Sequence, residues 1–303
     1  MTSYNRDGKV GPWAREKLDC LGRYLREYTK IMKKQDWCRG YYYFDAFAGA
    51  GRNAIRQLEK KDNPNLLPLE ISSMHSNDPE ELSYVNGSPF VALDIEHPFS
   101  KYFFVEKDHH RANELRSIQR EYAGSRNIEV REGDANQSIR NFLFDKGINW
   151  KSCRAVMFLD PFGMQVPWST IEAIASTKGV ETILNLPVGM AIQRLLPKSG
   201  DINLAQREML NSYFGSAEWE ELLYEKAENL FGDIGITKAR DSGERLVGWY
   251  RKRLKKLFGF APSPRLICNT KGSHLYYLFF AGPNETGAKI AAYILNQGQA
   301  LRR

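Results

Sequence analysis

The stretch YYYFDAFAGAGRN, residues 41–53, decides how this chain folds. An apolar run leads into an acid, Asp45, and two glycines in G-x-G spacing follow, Gly49 and Gly51. This order is typical of a buried strand that ends in a turn where a ligand approaches the backbone. Residues 49–54 also fit the loose dinucleotide pattern G-x-G-x-x-G/A, so the stretch alone does not identify the ligand.

Composition narrows the class of protein. With 303 residues, 42% of them hydrophobic and 26% charged, the chain has the make-up of a globular protein with one large α/β domain. No apolar run is long enough for a membrane helix, and the amino terminus lacks the apolar core of an export signal. The net charge of +7 permits an anionic partner such as nucleic acid.

Cysteines and histidines give no sign of a metal site. The four cysteines are scattered without a C-x-x-C pair, and the five histidines form no spaced ligand pair. Scattered thiols are typical of a reducing cytoplasm rather than of a disulfide framework. We therefore expect a cytoplasmic protein without a bound metal.

Short apolar runs alternate with helical patterns along the first two thirds of the chain. The helical patterns lie at 12–34 and 108–122, and the runs at 41–47, 102–106, 128–130, 155–159 and 182–186. This alternation predicts a mostly parallel, doubly wound sheet. Residues 52–86 are polar and are predicted to be an insertion. The helix that they postpone begins at Ser88, predicted as its N-cap, with Pro89 in the first turn.

Two further segments follow the fifth run. Residues 189–260 are charged and have helical patterns. Residues 264–282, PRLICNTKGSHLYYLFFAG, predict two strands joined at Lys271 and Gly272. Antiparallel last strands fit the sheet of a methyltransferase that uses S-adenosylmethionine (SAM) better than the sheet of a dehydrogenase.

Acidic side chains follow the predicted strands, at the edge where open α/β sheets bind ligands. Asp45 lies where it would repel the pyrophosphate of a dinucleotide, whereas the sulfonium and ammonium of SAM would be attracted to it. Glu106 can accept both ribose hydroxyls of an adenosine, and Asp134 can accept from the adenine amino group.

Plainer interpretations of these acids stay open. Asp45 could order its loop without touching a ligand, and Asp134 could belong to an ordinary Gly-Asp turn. Glu106 could be an exposed acid at a strand end, paired with Lys107.

The hexamer FLDPFG, residues 158–163, is the most specific motif. It resembles the D-P-P-Y/F motif of amino-methyltransferases, and more closely the D-P-F-G of tRNA guanine N2-dimethyltransferases. An exocyclic amine on a base is a poor nucleophile, and acceptors at Asp160 and the Pro161 carbonyl would favour a pyramidal nitrogen. Phe162 can stack on the base, and Gly163 lets the chain turn away. The alternative is an Asp-Pro turn with a core phenylalanine.

Most of the chain resembles the three-Cys-motif partner family (TcmP). The shared stretches, spread over residues 10–195, are VGPWAREKLDCLGRYLREYTKIM, YYYFDAFAGAGR, GSPFVALDI, YFFVEKD, GDAN, FLDPFGMQVPW and LNLPVGMAIQR. The resemblance implies a SAM-methyltransferase-like fold and a partner protein with three clustered cysteines, usually a radical-SAM-like protein. The cysteines of this chain are dispersed, so that cluster would belong to the partner.

Together, the patterns and the resemblance predict an α/β, Rossmann-like SAM-methyltransferase fold. We expect a mostly parallel, doubly wound sheet with a C-terminal antiparallel hairpin and a helical insertion. The predicted segments are an N-terminal helical segment 1–40, a SAM-binding core 41–188 with its insertion 52–86, a helical insertion 189–260, and C-terminal strands and helix 261–303 that complete the core.

Three groups of site residues are predicted. Catalysis is assigned to Asp160, Pro161 and Phe162. Cofactor binding is assigned to Asp45, Phe47, Gly49, Gly51, Glu106, Lys107, Asp134, Ala135 and Asp160. Substrate binding is assigned to Phe162, Gly163, Asn185, Arg194, Arg251, Lys252, Lys255 and Lys256. The last four form the basic face of the pattern RDSGERLVGWYRKRLKKLFGF, residues 240–260, which could equally be a solvated helix face.

Three functions compete. The first is a SAM-dependent methyltransferase that acts on an exocyclic nucleobase amine in RNA or DNA. The second is a methyltransferase-like subunit that binds SAM or nucleic acid for its three-cysteine partner without catalysing transfer. The third, an oxidoreductase that uses NAD(P), lacks an identifiable group of residues for hydride transfer.

Overall fold

The computed structural model describes residues 12–51, 87–192, 196–197, 199–228, 234–268 and 272–297. The predicted insertion 52–86, Arg194 and Lys271 lie outside the described residues. The chain divides into two compact units, Met1–Asp160 and Pro161–Arg303. The segment boundaries drawn from the sequence at 40, 188 and 260 stay predictions.

The first unit alternates strands and helices. Its elements are α1 Pro12–Met32, β1 Gly40–Asp45, α2 Ser88–Leu93, β2 Lys101–Glu106, α3 His109–Glu121, β3 Ile128–Glu132, α4 Ala135–Leu143 and β4 Cys153–Leu159. Each strand lies on one of the apolar runs that predicted it.

The second unit contains the remaining strands and a group of helices. Its elements are α5 Trp168–Ser176, β5 Val180–Leu186, a π-helical turn Val188–Ile192, α6 Leu204–Phe214, α7 Trp219–Leu223, β6 Tyr224–Glu228, β7 Ile234–Lys238, α8 Ser242–Phe258, β8 Arg265–Cys268, β9 His274–Ala281 and α9 Glu285–Asn296.

Seven of the strands form one sheet in the order β3-β2-β1-β4-β5-β9-β8. β1 runs parallel to β2 and β4, and β2 runs parallel to β3. β9 is antiparallel to both of its neighbours, β5 and β8. The predicted fold class, a Rossmann-like α/β fold with a mostly parallel sheet and a C-terminal antiparallel hairpin, is confirmed.

Aromatic packing holds the centre of the first unit together. Phe44 on β1 and Phe103 on β2 both pack against Phe142 on α4, with ring centroids 4.8 and 4.9 Å apart. The strand register places Asp45 beside Phe104 of β2 and Phe158 of β4. The carboxyl ends of these parallel strands therefore meet at one edge of the sheet, where a ligand site is expected.

The structure corrects the purely helical interpretation of residues 189–260. β6 and β7 form a separate two-stranded antiparallel sheet, with Tyr224 opposite Lys238. Tyr224 is buried and its hydroxyl donates to the carbonyl of Pro197 at 2.9 Å. This tertiary anchor outweighs the weak local preference for helix, because strand formation depends on packing more than on propensity.

The turn after β1 requires its glycines. Gly49 and Gly51 have φ angles of 64° and 68°, a left-handed conformation that side chains with a Cβ rarely adopt. The amides of Ala46 and Ala48 donate to the carbonyls of Phe158 and Val105, which fixes the turn to the ends of β4 and β2. A Cβ on Gly51 would also lie 2.5 Å from Cδ1 of Ile118 on α3.

Substituting alanine for Gly51 should therefore destabilise the protein. We expect Gly51→Ala to lower the free energy of unfolding by about 1–2 kcal/mol, from backbone strain together with overpacking against α3. Urea unfolding followed by circular dichroism measures the change. Gly124→Ala is the matched control, because a Cβ there meets nothing within 4 Å. Equal effects of the two substitutions would contradict the strain at Gly51.

Candidate functional site

Asp45 at the end of β1 is fully buried within a shell of hydrogen-bond donors. Its Oδ1 accepts from the amide of Phe47 at 3.2 Å, and its Oδ2 accepts from the hydroxyl of Tyr43 at 3.3 Å. The side chain of Ser88 also donates to it. These donors fix the orientation of a carboxylate that has no access to water.

Burial dominates the electrostatics of Asp45. The pKa of Asp45 is raised from 3.8 to about 7, because desolvation and the nearby charge of Asp160 raise it by more than the hydrogen bonds from Ser88, Phe47 and Tyr43 lower it. The fold therefore stabilises the protonated form of the Asp45 carboxyl. A cation placed beside it would favour the charged form.

Asp160 forms a buried ion pair that the sequence did not predict. The ammonium Nζ of Lys17 lies 2.5 Å from Asp160 Oδ2, with side-chain exposures of 0% and 12%. Lys17 therefore places a positive charge beside a carboxylate that itself acts electrostatically on Asp45. A sequence signal did exist, because Lys17 lies on the same helical stripe as Leu21, Tyr24 and Tyr28, all of them buried.

Close packing of α1 on α2 positions this part of the site. A Cβ on Gly87 would lie 2.6 Å from Cδ1 of Leu18, and one on Gly22 would lie 3.0 Å from Cγ1 of Val91. A larger residue at either position would press on a side chain of the facing segment, which would have to move. α1 thereby carries Lys17 to Asp160, and α2 carries Ser88 to Asp45.

The predicted role of Ser88 as N-cap is wrong. The cap of α2 is Gly87, and no side chain makes a capping hydrogen bond there. Ser88 is the first helical residue, and its hydroxyl serves Asp45 instead. At an N-cap the serine oxygen would accept from a backbone amide, whereas here the hydroxyl donates to a buried carboxylate, which is the stronger, charge-assisted kind of hydrogen bond. Pro89 lies in the first turn, as predicted.

Glu106 at the end of β2 is buried, with 7% exposure. Its Oε1 accepts from the amide of Asp108 at 2.8 Å and from Nη2 of Arg111 at 3.0 Å. The proposed pairing with Lys107 is not seen, because Lys107 is exposed and Arg111 takes its place. Glu106 Oε2 has no hydrogen-bond partner among the described residues, so it is available to accept from a ligand.

Asp134 follows β3 and is exposed. It caps α4, because its Oδ1 accepts from the amide of Gln137 at 2.9 Å, and Ala135 begins the helix as a buried residue. The amide of Gly133 donates to the carbonyl of Glu106 at 2.9 Å, which ties this turn to the end of β2. The capping role is structural, and contact of Asp134 with an adenine stays a prediction.

The residues of the second unit that are predicted to contact the methyl acceptor lie in the DPFG turn and near the end of β5. Phe162 is half-buried, its amide donates to Oε1 of Gln165 at 3.1 Å, and Gly163 turns the chain with a φ of 78°. Pro161 is buried. Asn185 is buried near the end of β5, opposite Leu278 of β9.

The basic helix α8 has the two faces that its pattern predicted. Its apolar side buries Leu246, Tyr250 and Leu254. On the other side, Lys252, Lys255 and Lys256 are exposed. Arg251 differs from these lysines, since its Nε donates to the carbonyl of Ala261 at 2.9 Å and thereby anchors the helix. The three lysines are the stronger candidates for contact with phosphate.

Metal and membrane sites do not occur within the ranges that the structure describes. No group of three or more histidine, cysteine, aspartate or glutamate side chains there could hold a metal ion. No helix in those ranges is long and apolar enough to cross a membrane. All four cysteines are free thiols, and three of them are buried.

Comparison with known proteins yields distant likenesses. No family model matches the chain, and no curated protein matches it significantly. A DUF519 protein from Legionella pneumophila shares 13% identity over 95% of this chain and 92% of its own, with a TM-score of 0.49. The Escherichia coli protein yhhF, described as a putative methyltransferase, shares 10% identity over 86% of each chain, with a TM-score of 0.30. Likenesses with TM-scores below 0.5 carry no argument, so function must be argued from the site.

The raised pKa of Asp45 predicts a pH-dependent stability. Between pH 3.8 and about 7 the folded protein keeps the Asp45 proton, whereas the unfolded chain has already released it. The free energy of unfolding therefore falls as the pH rises through that window. Asp45→Asn removes the group. The free energy of unfolding of Asp45→Asn minus that of the natural chain should be larger at pH 8 than at pH 5, by about 2 kcal/mol or more.

Urea unfolding at the two pH values measures this difference. Asp36→Asn, a change to an exposed carboxylate between α1 and β1, serves as the control and should give the same difference at both. An Asp45→Asn effect that is independent of pH would show that the buried carboxyl does not titrate in this range.

The Lys17–Asp160 pair predicts a strong energetic coupling. Lys17→Met should destabilise the protein by roughly 3 kcal/mol, because it leaves Asp160 without its compensating charge. Lys17→Met combined with Asp160→Asn should recover most of that loss. A double-mutant cycle in urea measures the coupling, and additive effects of the two single changes would contradict a direct pair.

Proposed function

We propose that this protein is a SAM-dependent methyltransferase that methylates an exocyclic amine of a nucleobase in RNA or DNA. The observation that carries the proposal is the arrangement around Asp160. The acid of the DPFG turn lies at the carboxyl edge of the sheet, held by a buried lysine and electrostatically coupled to Asp45.

The residues of the first unit fit SAM as the cofactor. Asp45 is a buried carboxyl with a raised pKa that would lose its proton and become negatively charged beside a cation. SAM carries two cationic groups, a sulfonium and an α-ammonium. Gly49 and Gly51 turn the chain at the end of β1 with left-handed φ angles that a residue with a Cβ would rarely adopt. Glu106 Oε2 could accept from a ribose hydroxyl, and Asp134 lies after the adjoining strand. When bound, SAM would supply an electrophilic methyl group.

The same carboxylates argue against a dinucleotide. A pyrophosphate near the glycine turn would face the buried negative charge of Asp45, in a medium where repulsion is only weakly screened. We therefore favour SAM over NAD(P).

Asp160 would hold the acceptor amine. Its carboxylate and the Pro161 carbonyl would accept the amine hydrogens and direct the nitrogen lone pair out of conjugation with the base. Phe162 would stack on the base, a contact worth roughly 1–3 kcal/mol in single-strand binders. The methylated amine loses its proton to water, so no side chain has to act as general base.

Lys17 would be a positioning residue in this reaction. Its ammonium contacts Oδ2 of Asp160, which fixes the rotamer of the carboxylate and offsets the cost of a second buried acid near Asp45. Lys17 touches neither amine nor cofactor in this proposal.

The substrate and partner assignments extend the proposal. The exposed lysines of α8, Lys252, Lys255 and Lys256, would contact phosphates, with Asn185, Arg194 and Arg251 as further substrate residues. The resemblance to the TcmP family adds a three-cysteine, radical-SAM-like partner. Free thiols in the described chain suit a cytoplasmic location.

Two conservative substitutions test separately the residue that would bind SAM and the residue that would hold the acceptor amine. Glu106→Gln should weaken SAM binding by about 1.5–3 kcal/mol, because it removes a hydrogen bond to a charged group. Asp160→Asn should reduce methyl transfer at least a hundredfold and change SAM affinity far less, because its carboxylate would contact the acceptor amine rather than the cofactor.

Calorimetry measures SAM affinity, and mass spectrometry of nucleosides after incubation with isotopically labelled SAM measures transfer. Both are done with and without the three-cysteine partner, and Asp201→Asn, a change to an exposed carboxylate of the second unit, is the control. SAM binding without any labelled nucleoside would favour the non-catalytic subunit. Binding of NADH in place of SAM would overturn the proposal.

A further inference from the structure

A second surface of the first unit exposes aromatic rings. It lies at the amino ends of β1 and β4, the opposite end of these strands from Asp45 and Asp160. Trp37, in the turn before β1, is 47% exposed, and Phe144, directly after α4, is 67% exposed. Exposed large rings at one edge of a sheet are typical of an interaction surface.

Contacts through Arg154 connect the two rings. The Arg154 guanidinium lies 4.4 Å from the centre of the Trp37 ring, and its Nη1 donates to the carbonyl of Trp150 at 2.7 Å. Trp150 in turn donates from Nε1 to the carbonyl of Leu143, the residue before Phe144, at 2.9 Å. Trp37 and the residue before Phe144 are therefore linked through Arg154 and Trp150 at this edge of the first unit.

This surface is strongly basic. It carries five exposed cations, none of which forms an ion pair with a described residue: Lys33, Lys34, Arg39, Lys146 and Lys151. Arg154 adds a sixth, against two exposed carboxylates, Asp36 and Asp145. We call the rings and the five exposed cations together the amino-edge surface. Its excess of positive charge accounts for a large part of the net charge of +7.

We propose that the amino-edge surface binds a single-stranded polynucleotide. Rings on which bases stack, set among cations that contact phosphates, are the two elements of sequence-tolerant single-strand binding. An acidic protein segment would use the cations but has no planar bases for the rings. The inference rests on the proposed function, because that function supplies the class of substrate, a polynucleotide. The amino-edge surface would be a second place where this substrate contacts the protein.

The distance between the two sites sets a length requirement. β1 has six residues, which places the amino-edge surface about 20 Å from the carboxyl of Asp45. A mononucleotide can occupy only one of the two sites. A longer strand can be held at the amino-edge surface while one of its bases occupies the catalytic edge.

The rings are tested with two probes that differ only in their bases. Fluorescence anisotropy, without SAM, compares a 20-mer of thymidine with an abasic 20-mer of the same charge. The thymidine 20-mer should bind on the order of tenfold more tightly or better. The double variant Trp37→Ala/Phe144→Ala should lose most of this preference, apart from the single base that Phe162 would still stack on, and should bind the abasic strand as before. Tyr293→Ala, which removes a ring on α9 that is 65% exposed, is the matched control.

The cations are tested through salt. Lys33→Ala/Lys34→Ala/Lys151→Ala should reduce the slope of log affinity against log salt by about 0.7 for each phosphate that the variant no longer neutralises. Lys226→Ala/Lys289→Ala, two exposed lysines of the second unit, should leave the slope unchanged. Variants of the amino-edge surface that bind like the natural chain would overturn the inference.

Two further outcomes separate this surface from competing explanations. Competition by polyglutamate as effective as that by the thymidine 20-mer would assign the surface to an acidic protein and overturn the inference. Trp37→Ala/Phe144→Ala should bind SAM like the natural chain even though its base-dependent binding is reduced. SAM binding and methyl transfer therefore test the proposed function, and base-dependent binding tests the amino-edge surface.

Discussion

The site depends on the burial of one ammonium among acids at the end of a parallel sheet. Lys17 and Asp160 form an ion pair beside Asp45, where desolvation and a second negative charge would otherwise be expensive. The close approach of α1 and α2 at Gly22 and Gly87 is what allows Lys17 to reach this position. These charges are kept together by the packing of α1 on α2, by the hydrogen-bond donors around Asp45 and by the short strands that end at this edge of the sheet.

Much of the fold could be predicted from the sequence because its signals are local. The apolar run before Asp45, the glycines of the following turn and the paired C-terminal strands each depend on a few consecutive residues. β6 and β7 could not be predicted in this way. Their pairing is stabilised by the burial of Tyr224 and by its hydrogen bond to the carbonyl of Pro197. No local sequence pattern predicts that contact.

The positions of the acids at the strand ends were predictable, but the residues that contact them were not. Asp45, Glu106 and Asp160 follow strands and could be found from that position alone. Lys17 is 143 residues away from Asp160, and a lysine on an apolar stripe does not reveal which acid it meets. Arg111 replaced Lys107 beside Glu106 because a helix begins between them and turns the arginine back toward the strand end.

The raised pKa of Asp45 has a consequence for the charge of the whole molecule. If a cation binds beside this carboxyl, the proton that Asp45 releases offsets part of the positive charge gained. The long-range potential around the basic surfaces would then change by less than the charge of the bound cation alone, and so would the attraction of a polyanion.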